Sequence, residues 1–309
     1  MIKMTRSTKI FVDGEEGTTG LEISDRLKRL PNIELLQIES KLRKEPKARK
    51  VLLNNADIAI LCLPDNAAEE AVSLIDNPNT KIIDASTRHR VSDGWIYGFP
   101  EYKKGHEETI RTSHFISNPG CYAIGAVAIL YPLIERKILP SNWPVAISGL
   151  SGYSGGGKSL IKRFTDSSAN LNAYDYALNL EHKHLPEITK WGNLDSPPNF
   201  LPCVGNFYRG MLVRVPIPLR AIPSRPSKKD LLECYKKHYE NRNNIEIVEI
   251  KEGSTEKEIN PESLNGTSAL RIHLLSDSKQ NNAAVIAQLD NLGKGASGQV
   301  VETIKILAA

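Results

Sequence analysis

The sequence predicts two folds in one chain: a parallel, doubly wound α/β sheet in the first half, and an α+β arrangement with a largely antiparallel sheet in the second. Three observations carry this expectation. From Lys9 to Ala85 short apolar segments alternate with amphipathic ones at short spacing, as βα units do. A glycine-rich turn follows the first apolar segment. Beyond Pro132, strand-like segments succeed one another with few helical stretches between them, the habit of an antiparallel sheet.

In order, residues 10–13 read as a strand, 21–30 as a helix, 33–38 as a strand, 48–53 as a helix and 58–63 as a strand. A helix over 67–75 and a strand over 81–85 continue the alternation, and a nucleotide site belongs at the carboxyl ends of such strands. The first βα turn reads Asp13-Gly14-Glu15-Glu16-Gly17-Thr18-Thr19-Gly20, a G-x-x-G-x-x-G arrangement. It follows a strand and opens a helix, so its backbone N–H groups suit a pyrophosphate, provided Glu15 and Glu16 point away. The bland alternative is a plain glycine-rich turn. After the second strand, Glu39 suits a free ribose 2′-hydroxyl and hence NAD, whereas Ser40, Arg43 and Lys44 suit a 2′-phosphate and hence NADP. The basic residues tip the reading to NADP, and their alternative is a solvated helix start.

The stretch Ser117-Asn118-Pro119-Gly120-Cys121-Tyr122 is the centre of the functional reading. A β-segment over 112–117 meets a sharp turn at Pro119 and Gly120, and the apolar run after it makes a buried helix that Pro132 ends or kinks. Cys121 falls in its first turn. There the free N–H groups and the positive end of the helix dipole favour the nucleophilic thiolate, against the alternative of a buried structural thiol.

In the second half, residues 145–150, 211–217, 245–250, 270–275 and 284–289 read as strands, with helices over 228–239 and 298–307. Gly152-Tyr153-Ser154-Gly155-Gly156-Gly157-Lys158-Ser159 satisfies the Walker pattern G-x-x-x-x-G-K-[ST]. Such loops open a parallel sheet, and here the parallel alternation stops upstream, so this is read as a glycine-rich loop facing a cofactor or phosphate group rather than an NTPase site. Glu181-His182-Lys183-His184 carries two of the seven histidines. On a helix their i, i+2 spacing places them on opposite sides, which disfavours metal ligation and leaves general acid–base work for one of them, or two solvated histidines in a polar loop.

Composition removes several classes of partner. Forty Lys and Arg against 36 Asp and Glu give a net charge of +4, too slight and too interspersed for nucleic acid. No apolar run approaches the ~20 residues that span a bilayer, and the N-terminus lacks the apolar core of a secretory signal, so a cytoplasmic protein with small-molecule ligands is expected. Cys62, Cys121, Cys203 and Cys234 match no C-x-x-C pattern, which argues for reduced thiols and no zinc site.

Assembled, these motifs resemble the N-acetyl-γ-glutamyl-phosphate reductase family in its shorter form, relatives of aspartate-semialdehyde dehydrogenase. The likeness runs through the 13–20 turn, Asp84-Ala85-Ser86-Thr87-Arg88-His89-Arg90, Tyr97-Gly98-Phe99-Pro100-Glu101, Asn118-Pro119-Gly120-Cys121-Tyr122, the 148–158 loop, His182-Lys183-His184-Leu185-Pro186-Glu187 and the 290–299 segment. Ile124 and Ile129 depart from the family pattern, which bears on local helix packing.

The resemblance implies a Rossmann-type NADP-binding domain over 1–119, completed by the C-terminal segment 292–309, and a catalytic and dimerisation domain over 120–291. It implies NADPH-dependent reduction of an acyl phosphate in arginine biosynthesis through a Cys121 thioester, with His184 or His182 carrying the proton. Gly14, Gly17, Thr18, Thr19, Gly20, Ser40, Arg43, Lys44, Ser86, Ser154, Gly155, Gly156 and Asn291 are then expected at the cofactor, and Asn118, Arg88, Arg90 and Arg209 at the substrate. A homo-oligomer, dimer or tetramer, is expected. Alternatives are a reductase of aspartyl phosphate, a P-loop nucleotide-binding protein using 152–159, and an inactive Rossmann-like regulator.

Overall fold

The computed structural model describes residues 7–166, 171–250 and 258–308. The chain divides into two compact units, one of residues 1–100, 105–119 and 296–309, the other of 101–104 and 120–295. No helix among the described residues is long and apolar enough to cross a membrane.

The first unit alternates β1 (Thr8–Asp13), α1 (Thr18–Leu27), β2 (Ile33–Leu36), α2 (Pro46–Asn55), β3 (Ile58–Leu61), α3 (Asp65–Ser73), β4 (Lys81–Asp84), β5 (Ile96–Tyr97), α4 (His106–Thr112) and β6 (Phe115–Ser117). The six strands are all parallel, in the order β2-β1-β3-β4-β6-β5. Strand alternation sends Ile10, Val12, Ile58 and Ile60 to a core shared with Ile23 and Leu27 of α1, and sends Phe11, Ala59 and Leu61 to a second core with Leu53 of α2 and Ala68 of α3. Helices therefore cover both faces, as the sequence predicts. One expectation fails: the strand over 112–117 is only Phe115–Ser117, because residues 106–112 form α4. Its acidic first turn (Glu107, Glu108) and basic last turn (Arg111) complement the helix dipole.

The second unit opens with α5 (Cys121–Glu135) and continues through β7 (Ala146–Gly152), α6 (Gly157–Thr165), β8 (Ala173–Asp175), α7 (Leu185–Trp191), β9 (Asn199–Gly205), β10 (Met211–Ile217), α8 (Lys228–His238), β11 (Ile245–Glu249), β12 (Leu270–Ser276) and β13 (Ala283–Leu289). A last helix, α9 (Gly298–Ala308), belongs to the first unit, where Val300 and Ile304 join the core of α1. The seven strands run β11-β12-β13-β10-β7-β9-β8. Four of the six pairings are antiparallel, and β7 with β9 and β11 with β12 are parallel. The sheet is thus largely antiparallel, as expected. β8 and β9 escape the sequence reading, β9 because Pro202 interrupts it.

Helix α5 packs on β10 and β13 and against α7 and α8, so every residue but Cys121, Tyr131 and Glu135 is buried, Ile124 and Ile129 among them. Pro132 does not end it. A proline lacks the N–H that would bond the carbonyl four residues back, that of Ala128, and the buried Tyr239 hydroxyl donates to this carbonyl instead at 2.8 Å. The Tyr235 hydroxyl donates to the neighbouring Ile129 carbonyl at 2.9 Å. The helix accordingly continues to Glu135.

Candidate active site

Cys121 is the first residue of α5 and partly exposed. Gly120 before it is extended, and no side chain caps the helix, so the N-terminal end of the dipole is presented to the sulfur. The turn is held from outside. The Gly120 N–H donates to Glu187 Oε1 at 2.8 Å, and Glu187, on α7, is almost wholly buried. Gly295 closes in from the other direction: a Cβ there would lie 2.7 Å from the Cys121 Cβ. The remaining thiols are poorly placed for nucleophilic work. Desolvation pushes Cys62 and Cys234 up to about 12, and desolvation followed by the Asp175 carboxylate also raises Cys203.

The two histidines are neither on opposite sides of a helix nor solvated, which corrects the sequence expectation. They lie in the turn that leads into α7, with His184 as its N-cap, and both are buried. In extended or turn backbone the i, i+2 spacing returns side chains to one side. Their rings meet edge-on at 4.7 Å and lie 5.9 and 6.1 Å from the Tyr122 ring. The residue next to the nucleophile is thus flanked by both imidazoles.

In the first unit the glycine turn is packed tightly on backbone. Gly14 has φ of 86°, where a Cβ would run into the Cys62 carbonyl, and a Cβ at Gly20 would lie 2.8 Å from Glu15 Cα. Helix α1 starts at Thr18 after an extended Gly17, with no side-chain cap, so the amides of Thr18, Thr19 and Gly20 are left as anion donors. These residues fit a dinucleotide pyrophosphate. Glu16 is turned aside by pairing with Arg43, whose Nη2 also donates to Ser40 Oγ at 2.8 Å. Glu39 pairs with Lys41 at 3.0 Å, and Lys44 is exposed.

The other expected residues divide. Ser86 gives its N–H and hydroxyl to Asp84, at 2.8 and 2.7 Å. Arg90 is buried, donating to the carbonyls of Asn118 and Ala85 at 3.2 Å each. Asn118 is buried too, and its Oδ1 has no hydrogen-bond partner among the described residues. Arg88, expected at the substrate, is instead exposed and engaged by Glu69 through Nε at 3.0 Å and Nη2 at 2.7 Å. In the second unit Asn291 joins two expected segments, donating to Ser154 Oγ at 2.9 Å and accepting from the Gly210 N–H at 2.8 Å. Gly155 lies beside it, Gly156 ends a short 3-10 turn after β7, and Arg209 Nη1 is 3.4 Å from Asp290 Oδ2. The Walker-like stretch therefore sits between β7 and α6, in a sheet where β10 is antiparallel to β7.

Residues 9–110 match the NAD binding domain of semialdehyde dehydrogenase, and residues 121–291 match the semialdehyde dehydrogenase dimerisation domain. Over 97% of its length the chain is 42% identical to N-acetyl-gamma-glutamyl-phosphate reductase 2 of Nostoc sp., covering 96% of that protein. It is 43% identical to N-acetyl-gamma-glutamyl-phosphate reductase of Chelativorans sp., over 97% of this chain and 98% of the other. The chain belongs to the N-acetyl-γ-glutamyl-phosphate reductase family. Solved structures share the fold at low identity. Aspartate semialdehyde dehydrogenase from Francisella tularensis superposes with a TM-score of 0.73 at 12% identity, covering 98% of this chain and 100% of that one. The Candida albicans enzyme, solved with NADP, superposes with a TM-score of 0.68 at 16% identity, covering 98% and 99%.

Within this reductase scaffold three pairings had no sequence reading. Glu187 closes the His182–Glu187 motif with no role that its spacing reveals, yet it secures the turn before Cys121. Lys294 is fully buried and donates to Glu101 at 2.8 Å, tying down the segment that carries Gly295. Asp13 and Arg49 form a buried pair at 2.9 Å directly before Gly14, and burial raises the Asp13 carboxyl above its ordinary value despite the guanidinium. A lone Arg in an otherwise amphipathic helix, at a position facing the sheet, was the available signal for the last.

Proposed function

We propose that this chain reduces N-acetyl-γ-glutamyl phosphate to N-acetylglutamate 5-semialdehyde and phosphate, a step of arginine biosynthesis, with NADPH as reductant. The observation that carries the reading is near full-length identity above 40% to reductases of that name, with a cysteine at the uncapped N-terminus of a buried helix.

The Cys121 thiolate attacks the acyl carbon, the bond from that carbon to the phosphate oxygen breaks, and inorganic phosphate departs from a thioester. NADPH, when bound, supplies hydride to that carbon. One of the paired imidazoles, His184 or His182, gives a proton to the oxygen as its charge develops, and takes it back as the carbon–sulfur bond breaks to release aldehyde and regenerate the thiolate. Gly14, Gly17, Thr18, Thr19 and Gly20 would hold the pyrophosphate, and Ser40, Arg43 and Lys44 the 2′-phosphate. Ser86, Ser154, Gly155, Gly156 and Asn291 complete the cofactor contacts. Asn118, whose buried Oδ1 has no partner among the described residues, addresses the substrate with Arg88, Arg90 and Arg209, Arg88 being released from its surface pairing with Glu69. Residues 1–119 with 292–309 bind the dinucleotide, and 120–291 carry the chemistry and the contact between subunits of a homo-oligomer.

The test is phosphate-dependent reduction of NADP by the purified protein with N-acetylglutamate semialdehyde, beside aspartate semialdehyde and an ATPase assay. Turnover of the acetylglutamyl compound alone is expected. Preference for aspartate semialdehyde, or ATP hydrolysis without reductase activity, would overturn the assignment.

A further inference from the structure

Two imidazoles lie beside Tyr122, and the hydrogen bonds around them distinguish their roles. A carbonyl oxygen accepts and never donates, so the Tyr122 hydroxyl, 3.0 Å from the Cys203 carbonyl, directs its only proton there. The Tyr176 hydroxyl lies 3.3 Å from His182 Nε2. At the opposite edge of the ring the backbone N–H of His184 donates to His182 Nδ1 at 3.1 Å. The backbone N–H can only donate, so Nδ1 is the bare acceptor and the neutral ring carries its hydrogen on Nε2, facing the Tyr176 oxygen.

We infer that His182 is a positioning residue, held as the neutral Nε2–H tautomer, and that His184 is the imidazole that moves the proton; this rests on the reductase reading of Cys121. A proton added to His182 Nδ1 would face the His184 amide hydrogen, so the ring cannot change charge without breaking that bond. The groups around it are Tyr122 on α5, Tyr176 and His184 before α7, and Phe200 on β9. What His182 does is hold the N-cap of α7, the helix whose Glu187 grips the Gly120 N–H. The bonds thus run from His182 through the start of α7 to Gly120, the residue before Cys121, and they fix the His184 backbone relative to the sulfur.

The experiment is nitrogen-15 NMR of histidine-labelled protein, with the His182 signal identified by its loss in His182→Asn. The expected spectrum shows His182 as the Nε2–H tautomer from about pH 6 to about pH 8, where an unperturbed imidazole titrates. Tyr176→Phe removes the oxygen at Nε2 but leaves the His184 N–H on Nδ1, so the Nε2–H tautomer should persist, and its loss in that variant would overturn the inference. An Nδ1–H tautomer, or a His182 that titrates in that range, overturns the inference whether or not the protein is a reductase. In turnover, His182→Asn keeps an amide oxygen to accept from the His184 N–H, and kcat should stay within about tenfold of wild type, whereas His184→Asn should lose about 10² to 10⁴-fold. Equal losses would also overturn it. Failure of the reductase reading shows separately, as absent wild-type activity with an intact His182 spectrum.

Discussion

At the scale of single residues, the reactivity of Cys121 follows from where the other thiols sit as much as from its own position. Alkylation needs the thiolate, and burial holds Cys62 and Cys234 up at about 12 and raises Cys203, so at neutral pH these three are almost entirely protonated. Peptide mapping after brief iodoacetamide treatment should find Cys121 labelled first. Equal labelling of all four would remove the argument from the helix terminus. Gly295→Ala should slow turnover by displacing the sulfur while leaving dinucleotide binding in place, since a Cβ there meets Cys121 at 2.7 Å. Activity equal to wild type would mean that the 293–297 segment yields freely. The nucleophile was legible because its turn is written in adjacent residues, Pro119 and Gly120. Glu187 was not, because its partner is a backbone N–H 67 positions away and no local spacing reports that. The histidines were misread for a related reason: helical geometry was assumed for a stretch that is a turn.

At the scale of elements, α5 survives its proline because a tyrosine from α8's end replaces the missing donor. Tyr239→Phe leaves the Ala128 carbonyl buried without that partner and should cost about 1 to 3 kcal/mol in denaturant unfolding. A change below the error of the measurement would mean the carbonyl finds water. Helix α8 makes a second test. Ser227 caps it, its hydroxyl accepting from the Asp230 N–H while the Asp230 carboxylate accepts from Ser227. The Ser227 backbone N–H, then its hydroxyl, hold the Asp230 carboxyl below its ordinary 3.8. A carboxyl depressed on folding contributes its stability in full above the unfolded value and loses it as pH falls through the folded one. Ser227→Ala should therefore destabilise by about 0.5 to 2 kcal/mol at neutral pH, with the difference shrinking below about pH 4, as followed by thermal melts. A difference independent of pH would exclude the carboxylate from the cap. The cap could be read as a serine three residues before an aspartate, but the rescue of Pro132 could not, since Tyr239 is far along the chain.

At the scale of the whole molecule, the α/β half was legible because parallel buried strands are continuous apolar runs separated by helices of regular length, whereas β8 is only three residues long and β9 is interrupted by Pro202. Cofactor choice is the property in which the sequence argued against itself. Each charged contact to phosphate contributes on the order of 1.5 to 3 kcal/mol, so replacing Arg43 and Lys44 with Ala together should lower the NADPH-to-NADH ratio of kcat/KM at least about tenfold. An unchanged ratio would leave Lys44 in water and Arg43 serving only Glu16 and Ser40. The central claim is the covalent one. The most direct measurement is mass spectrometry of the protein mixed with N-acetyl-γ-glutamyl phosphate in the absence of NADPH, followed by peptide mapping. An acyl group on Cys121, missing from the Cys121→Ser protein, is the predicted result; an unmodified Cys121 in wild-type protein that reduces the same substrate when NADPH is added would contradict it.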